Sequence, residues 1–283
     1  IHTNHATHLL KLSSHLDTLS ESKSSKARSP PSFFDLKLRD VALALVHIHS
    51  RMFNRITREE LLGCSWGVTS PRGSPTHTKR MADHFNQVVW WAVTEILSAG
   101  TLMHRVEALK RIILLAQSCQ ELKNYHGMMA LLNALLHSSI RRLKRTWKAL
   151  GSASRNKYVE MLEKMEEAMD FTNNFYQYRK ALQECVEEGK AAIPFIGVYT
   201  KDLTFIQDGN RDFMEEGVIN FKKIYLFGNI ISQIQHLQDY CQYPVTPSKK
   251  TIAAIKMFSD MHVDMSDEEI FKLSREVEPA HTC

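Results

Sequence analysis

The sequence predicts an all-α fold, a single large helical bundle, on three observations. Apolar residues recur at three- and four-residue steps through nearly every segment from Leu36 onward. No long Val- or Ile-rich stretch alternates with a period of two, so no strand announces itself. No unit of roughly 30–45 residues repeats, which argues against a solenoid and for helices joined by short connections.

Composition sets the bounds. At 283 residues and 43% hydrophobic, the chain can bury a sizeable core. Its net charge of +5 is dispersed, which permits contact with anionic surfaces without arguing for it. The five cysteines (64, 119, 185, 241 and 283) are odd in number and form no C-x-x-C pair, which suits a reducing interior. No apolar run approaches the ~18 residues of a membrane span, and no secretory leader opens the sequence. A soluble cytoplasmic protein is expected.

Residues 1–32 stand apart, with Ser, His and Lys dense around SESKSSKARSPPS, and read as a flexible lead-in. His2, His5 and His8 share a helical face, but without Asp, Glu or Cys ligands nearby they read as linker rather than as a metal site. The helical domain is expected over 33–283. Leu38, Val41, Ala42, Leu45, Ile48 and Met52 step as one helix. Thr57-x-x-Glu60 is a capping box that opens a short helix ending near Gly63. Gly67 to Lys79 carries the Pro, Gly and Ser of a surface loop. A long helix follows from about Ala82 to Ser98, then helices over Arg105–Gln117 and Tyr125–Leu136. Ser154 to Phe171 puts Tyr158, Met161, Leu162, Met165 and Met169 on one face, a Met stripe that suits a core better than a partner groove. Val218 to Tyr240 is a further long helix. Two closing helices begin near Ser248 and Ser266, the second with its own capping box, Ser266-x-x-Glu269.

One stretch organises the rest: IPFIGVYTKDLTFIQDGN, Ile193 to Asn210. Pro194 suits a first helical turn, and Gly209-Asn210 supplies the residue types that close helices in a left-handed conformation. Phe195, Val198, Tyr199, Leu203 and Ile206 form an apolar stripe, while Lys201, Thr204 and Asp208 share the opposite, polar face. About fourteen residues at ~1.5 Å each make a rod of roughly 20 Å, long enough to enter another protein's cleft. On pattern alone, an ordinary amphipathic helix with a solvated face explains it as well.

Enzyme motifs are missing. There is no G-x-x-x-x-G-K-[ST], no G-x-G-x-x-G opening a helix after a strand, no H-E-x-x-H and no G-x-S-x-G. The run Arg141-Arg142-Leu143-Lys144-Arg145 suggests phosphate binding, but a short run without interleaved aromatics fits a solvated helix face better. Residue chemistry thus describes a protein that works through a surface; a dispersed Ser/His/Asp triad stays open although nothing points to one, and no nucleic-acid partner is expected.

The wording PFIGVYTKDLTFIQDGN resembles the signature of the catalytic domain of Ras-type guanine-nucleotide exchange factors. Other blocks of that family follow in the same order. FFDLKLRDVALALVHIHSRMFNRITREELLGCSW, with Glu60, Leu61, Leu62 and Trp66 at its end, resembles the opening block. His84-Phe85-Asn86 through Glu95, then Arg105-Val106, resemble the next. LKNYHGMMALLNALLHSSIRRLKRTW is similar to the second hallmark block. Asn174-Phe175 through Tyr178-Arg179, GVINFKK with Tyr243 beyond it, and the closing SREVEP complete the series, from about Phe33 to Pro279.

The resemblance implies a bundle from which the signature helix and a partner helix project as a hairpin. It implies a protein that activates a Ras-family small GTPase (Ras, Rap or Ral type) by displacing switch 1 and disturbing the Mg²⁺ and phosphate contacts, so that GDP leaves and GTP enters. Mg²⁺ and nucleotide would belong to the GTPase, leaving this chain without a cofactor or metal of its own. On the same resemblance Lys201, Thr204 and Asp208 face switch 1 and the phosphates. Phe195 packs the hairpin base, Phe175 meets an aromatic of switch 2, and His126 occupies a position, usually Asn, that hydrogen-bonds the partner. Arg105, Asn124, Arg142, Trp147 and Asn220 fall at architectural positions. Three residues depart from the family pattern: Asp208 is usually Glu, His126 usually Asn, and Thr200 often Leu. No stretch resembles the N-terminal helical module that braces the hairpin in this family, so either the sequence is trimmed or the domain holds its hairpin unaided. A monomer is expected, recruited without membrane insertion to where lipid-anchored GTPases sit. The alternative is a degenerate module of the same fold that grips a GTPase as a scaffold without opening it. An all-α nucleic-acid or scaffold protein is a distant third.

Overall fold

Side-chain caps decide where seven of the helices begin. Thr57, Thr76, Thr101, Asn124, Asn220, Ser248 and Ser266 each accept a hydrogen bond from the backbone N–H three residues on. Each satisfies one of the donors that a helix start leaves orphaned. The computed structural model describes residues 32–64, 75–215, 217–243, 247–261, 263 and 265–279. The expected lead-in lies outside the described residues but for Ser32; Trp66 and most of the expected 67–79 loop lie outside them as well.

In chain order the helices are α1 (Leu38–Phe53), α2 (Arg58–Leu62), α3 (His77–Leu97), α4 (Leu102–Glu121), α5 (Tyr125–Leu136), α6 (Ser138–Arg141) and α7 (Lys144–Ser154). They continue with α8 (Lys157–Ala168), α9 (Tyr176–Glu187), α10 (Ile196–Gly209), α11 (Phe221–Tyr240), α12 (Lys249–Ser259) and α13 (Asp267–Val277). A short antiparallel ribbon, β1 (Phe213–Glu215) with β2 (Val218–Ile219), joins α10 to α11. The fold is the all-α bundle that the periodicity predicts.

α5 is the central helix. Its residues are buried almost all round, Met128, Ala130, Leu131 and Leu135 among them, as a helix apolar on every face must be. α3 and α4 pack on it, α1 crosses α4, and α12 covers α1. Val88, Ile96, Leu109, Ile112 and Ile113 close the interface without solvent access. The predicted Met stripe is core: Leu162, Met165 and Met169 are buried, with Tyr158 and Met161 packed at the margin.

Several boundaries differ from the sequence reading, each for a physical reason. Glu60 does not return to Thr57. Its carboxylate instead accepts from the backbone N–H groups of His77 (3.1 Å) and Thr78 (3.0 Å), and from the Thr78 hydroxyl (2.7 Å). α3 therefore starts at His77 rather than near Ala82, with an acid at its positive end. The segment 154–171 is broken, because Arg155 (φ 50°) and Asn156 (φ 62°) are both left-handed and separate α7 from α8. α7 and α9 were not legible as separate helices. Val218 and Ile219 are strand, so the helix expected from Val218 begins at Phe221.

The architectural residues are tied as follows. Glu278, buried to 4% exposure, accepts from the backbone N–H of Arg145 (2.6 Å) and Thr146 (3.3 Å), and from the Thr146 hydroxyl (2.9 Å). It caps α7 from the far end of the chain, where Leu143 offers no side-chain cap. Arg105 reaches Thr146 Oγ1 and the Ala99 carbonyl, both at 3.4 Å. Arg142 donates to the Ser274 carbonyl at 2.5 Å, and Trp147 Nε1 to the Ile140 carbonyl at 3.0 Å.

Candidate functional site

α10 and α11 lie side by side as a helical hairpin closed by the ribbon. Two backbone bonds fix where it leaves the bundle. Ile193 N–H donates to the Lys123 carbonyl (2.9 Å), and Tyr125 N–H donates to the Ile193 carbonyl (3.0 Å). Asn124, fully buried between them, caps α5 through Gly127 N–H (3.0 Å) and pairs with His49. The junction of the central helix thus sets the height of the hairpin base.

Pro194 is not in the first helical turn. It precedes the helix, and Phe195 is the N-cap in extended conformation. The reason is the Phe195 ring, which stacks on Phe85 at 5.3 Å while its N–H donates to Tyr178 Oη at 2.8 Å. Burial pushes the Tyr178 hydroxyl well above its ordinary pKa, so it stays a neutral acceptor here. The other end also differs: Asn210 is extended rather than left-handed, and its side chain donates to the Ile206 carbonyl at 3.0 Å.

The two faces of α10 separate as the spacing predicts. Ile196, Val198, Tyr199 and Leu203 are buried; Phe195 and Ile206 are half-buried. Lys201 and Asp208 are exposed and Thr204 is half-buried. The Lys201 ammonium lies 5.5 Å above the ring of Phe175 and 5.6 Å from that of Phe205. Thr204 Oγ1 donates to the Thr200 carbonyl at 2.9 Å. Asp208 is close enough to Cys64 that its charge helps raise the thiol pKa, after burial itself.

Two residues expected to meet a partner are inside. His126 is 1% exposed, between His49 (rings 4.9 Å apart), Phe85 (5.2 Å) and Phe195 (6.1 Å). The aromatic lid of Phe85 and Phe195 closes it off, so its side chain does not reach the surface in this conformation. Neither ring nitrogen is satisfied by a well-formed hydrogen bond, and burial, then His84, lowers its pKa to about 3. Phe175 keeps only 7% exposure.

Further contacts hold the hairpin in place. Arg179 of α9 pairs with Asp202 of α10 at 2.8 Å. Lys223, 6% exposed, donates to Asp212 (2.6 Å) and to the Gln207 carbonyl (3.3 Å), placing a cation at the negative end of α10. Asn220 caps α11 and binds the Arg211 carbonyl at 2.8 Å. Tyr243 Oη lies 2.9 Å from the Leu122 carbonyl and 3.2 Å from that of Ala191, pinning the approach to the base. The distal part of the hairpin is strongly apolar and uncovered: Phe205 is 64% exposed, Phe221 74% and Tyr225 68%. An exposed apolar surface of this kind, rimmed by charge, is the mark of an interaction site. Among the described residues no group of three or more His, Cys, Asp or Glu is placed to hold a metal, and no helix is long and apolar enough to cross a membrane.

Residues 40–225 match the RasGEF domain family. The chain is 32% identical over 213 residues to Ras guanine nucleotide exchange factor W of Dictyostelium discoideum, covering 74% of this chain and 18% of that protein. Ras guanine nucleotide exchange factor K of the same organism is 31% identical over 263 residues, 92% of this chain and 16% of its own length. Ras-specific guanine nucleotide-releasing factor 2 of Mus musculus is 26% identical over 247 residues, 87% and 20% respectively. The chain therefore spans about a fifth or less of the length of these relatives.

Proposed function

The chain belongs to the RasGEF domain family, and from that premise we propose that it is the exchange-catalysing domain for a Ras-family small GTPase. The observation that carries this reading is the hairpin itself, rooted in the bundle core at Asn124 and Phe195 yet bare along Lys201, Asp208, Phe221 and Tyr225. A surface that a chain leaves apolar and open at such cost in hydration belongs against another protein.

The mechanism is non-covalent. The GTPase holds its nucleotide through phosphate contacts and Mg²⁺, on which its switch loops depend. A factor that binds the nucleotide-free state best must, by linkage, weaken nucleotide binding by the same factor. Removing ~4–6 kcal/mol of phosphate and metal interaction lowers affinity by about three to four powers of ten. In this chain the wedge is α10, with Lys201, Thr204 and Asp208 turned toward switch 1 and the phosphates. Phe175 meets switch 2, and Phe195 fixes the wedge angle. His126 acts from beneath Phe195, through packing rather than by touching the partner. No metal or nucleotide belongs to this chain; both stay with the GTPase. The domain acts as a monomer, at the membranes where its lipid-anchored partner sits.

The experiment is release of a fluorescent guanine nucleotide from a panel of purified Ras, Rap and Ral GTPases, with and without the chain. Acceleration on at least one supports exchange. Binding without faster release would instead favour a scaffold, a reading that Asp208, shorter by one methylene than the Glu usual in the family, keeps in view.

A further inference from the structure

A groove of about 630 Å³ lies at the α7–α8 corner, and none of its lining residues belongs to the hairpin. Arg141, Lys144, Lys148 and Arg155 surround it, and no carboxylate lines it. Lys144 and Lys148 stand at i and i+4 on one face of α7, and Arg155 follows as the left-handed residue just past its end. All four are exposed. Arg141 has a counter-charge, Glu166 at 2.6 Å, and stacks over Trp147 at 5.9 Å. Lys144, Lys148 and Arg155 have neither an ion pair nor a side-chain hydrogen bond among the described residues.

The groove is built rather than incidental. Trp147 and Val159 supply apolar wall, and Trp147 is held by its bond to the Ile140 carbonyl. Gly151 leaves room for the turn: a Cβ there would stand 2.7 Å from Asn156 Oδ1. That turn holds Arg155 in the left-handed region, which a Cβ disfavours, and Arg155 lines the groove beside Asn156. Three unpaired cations converging on one concavity repel one another, and a multiply charged anion would relieve that.

We propose that this groove binds a compact polyphosphorylated ligand, the chemistry shared by a phosphoinositide headgroup and a free inositol polyphosphate. A single phosphate engages one or two of the cations, whereas two or more phosphates on a small polar ring engage them all. Nucleic acid fits less well, since its backbone needs cations spread along a track and several aromatic platforms rather than one. The site stands independently of the exchange reading.

The test uses the whole chain with three probes: soluble inositol trisphosphate, phosphatidylcholine vesicles doped with phosphatidylinositol bisphosphate, and a DNA duplex. Binding is followed by calorimetry and by co-sedimentation. The variant Lys148→Glu/Arg155→Glu reverses two exposed charges, and Lys249→Glu/Lys250→Glu on α12 makes the same change in net charge elsewhere. The groove variant should weaken phosphoinositide binding tenfold or more while the α12 variant retains it. Binding of the soluble compound and the vesicles alike, or of either alone, supports the site and identifies its source. Failure of both phosphate probes, equal loss in the two variants, or a groove effect seen only with DNA overturns it. Circular dichroism of both variants guards against loss of fold.

Discussion

The ring of Phe195 fills the space that a side chain at Gly197 would need: a Cβ there would stand 2.6 Å from the ring's Cζ. The same ring stacks on Phe85 and stands over His126, so the first turn of α10 is registered to the bundle by one aromatic contact. Gly197→Ala must push that ring aside. Because the ring is half-buried it can swing outward, so the cost should be modest, about 1–2 kcal/mol, read as a lower urea midpoint. Nucleotide release should slow more than stability alone explains, since the wedge angle shifts. Gly228→Ala is the control, with nothing within 4 Å of its Cβ, and should stabilise by about 0.5–1 kcal/mol. Equal behaviour of the two variants would mean that Phe195 does not register the hairpin.

A second prediction concerns Glu278. Its carboxylate satisfies two backbone donors and a hydroxyl at the start of α7, beside the buried Arg105. Glu278→Ala leaves those groups unpaired and Arg105 without its nearby counter-charge, which raises the arginine's pKa toward normal against the pull of burial. The loss should be about 2–4 kcal/mol in chemical denaturation. Glu278→Gln keeps an acceptor and should lose less than half of that. An unchanged midpoint in the Ala variant would remove Glu278 from the architecture.

These residues also mark how much was legible beforehand. The span Tyr125–Leu136 was readable at both ends from its apolar periodicity, while the cap that Asn124 supplies came only with the structure. The faces of α10 were readable because Lys201 and Asp208 have no reason to be inside. The break at Arg155-Asn156 was not, since neither residue is the Gly or Pro that punctuates helices. Glu60 was misplaced because a local capping box and a cap on the next helix need the same residue, and only packing decides between them. Glu278 lies 132 residues from Thr146 in sequence, and no spacing rule reaches that far. Resemblance alone gives His126 a partner-facing role; its burial depends on Phe85 and Phe195, from two other parts of the chain.

The histidine cluster predicts a pH dependence. His49 and His126 are buried with half-buried His84 beside them, and burial lowers all three pKa values, His84 to about 4 and His126 to about 3. In the unfolded chain each titrates near 6.5. The native state therefore holds fewer protons than the unfolded state below that pH. The stability is complete above about pH 6.5 and is lost as pH falls toward the folded values, by about 1.4 kcal/mol per pH unit for each proton taken up on unfolding. Urea titrations between pH 7 and pH 5 should show this slope. His126→Leu removes one titrating group and two unsatisfied nitrogens, so it should flatten the slope by about one proton without lowering stability at pH 7. A slope unaffected by that substitution would place the acid sensitivity elsewhere.

Lys201 and Asp208 stand on the exposed face of α10. If Asp208 acts on the metal and phosphate side of a bound GTPase, its reach matters as much as its charge, and the longer side chain should serve at least as well. Asp208→Glu should hold or raise the rate of nucleotide release, and Asp208→Ala should lower it. A lost contact of about 1.4 kcal/mol in the nucleotide-free complex corresponds to roughly tenfold slower release. Lys201→Ala should also slow release, and should in addition uncover Phe175, whose ring now lies under the ammonium. Neither substitution should shift the urea midpoint by more than about 0.5 kcal/mol, since both side chains are exposed. That separation of rate from stability is what a contact residue gives and a merely structural one does not. Release at the parent rate with Ala at 208 would assign the opening of the nucleotide site to the apolar end of the hairpin, Phe205, Phe221 and Tyr225, instead.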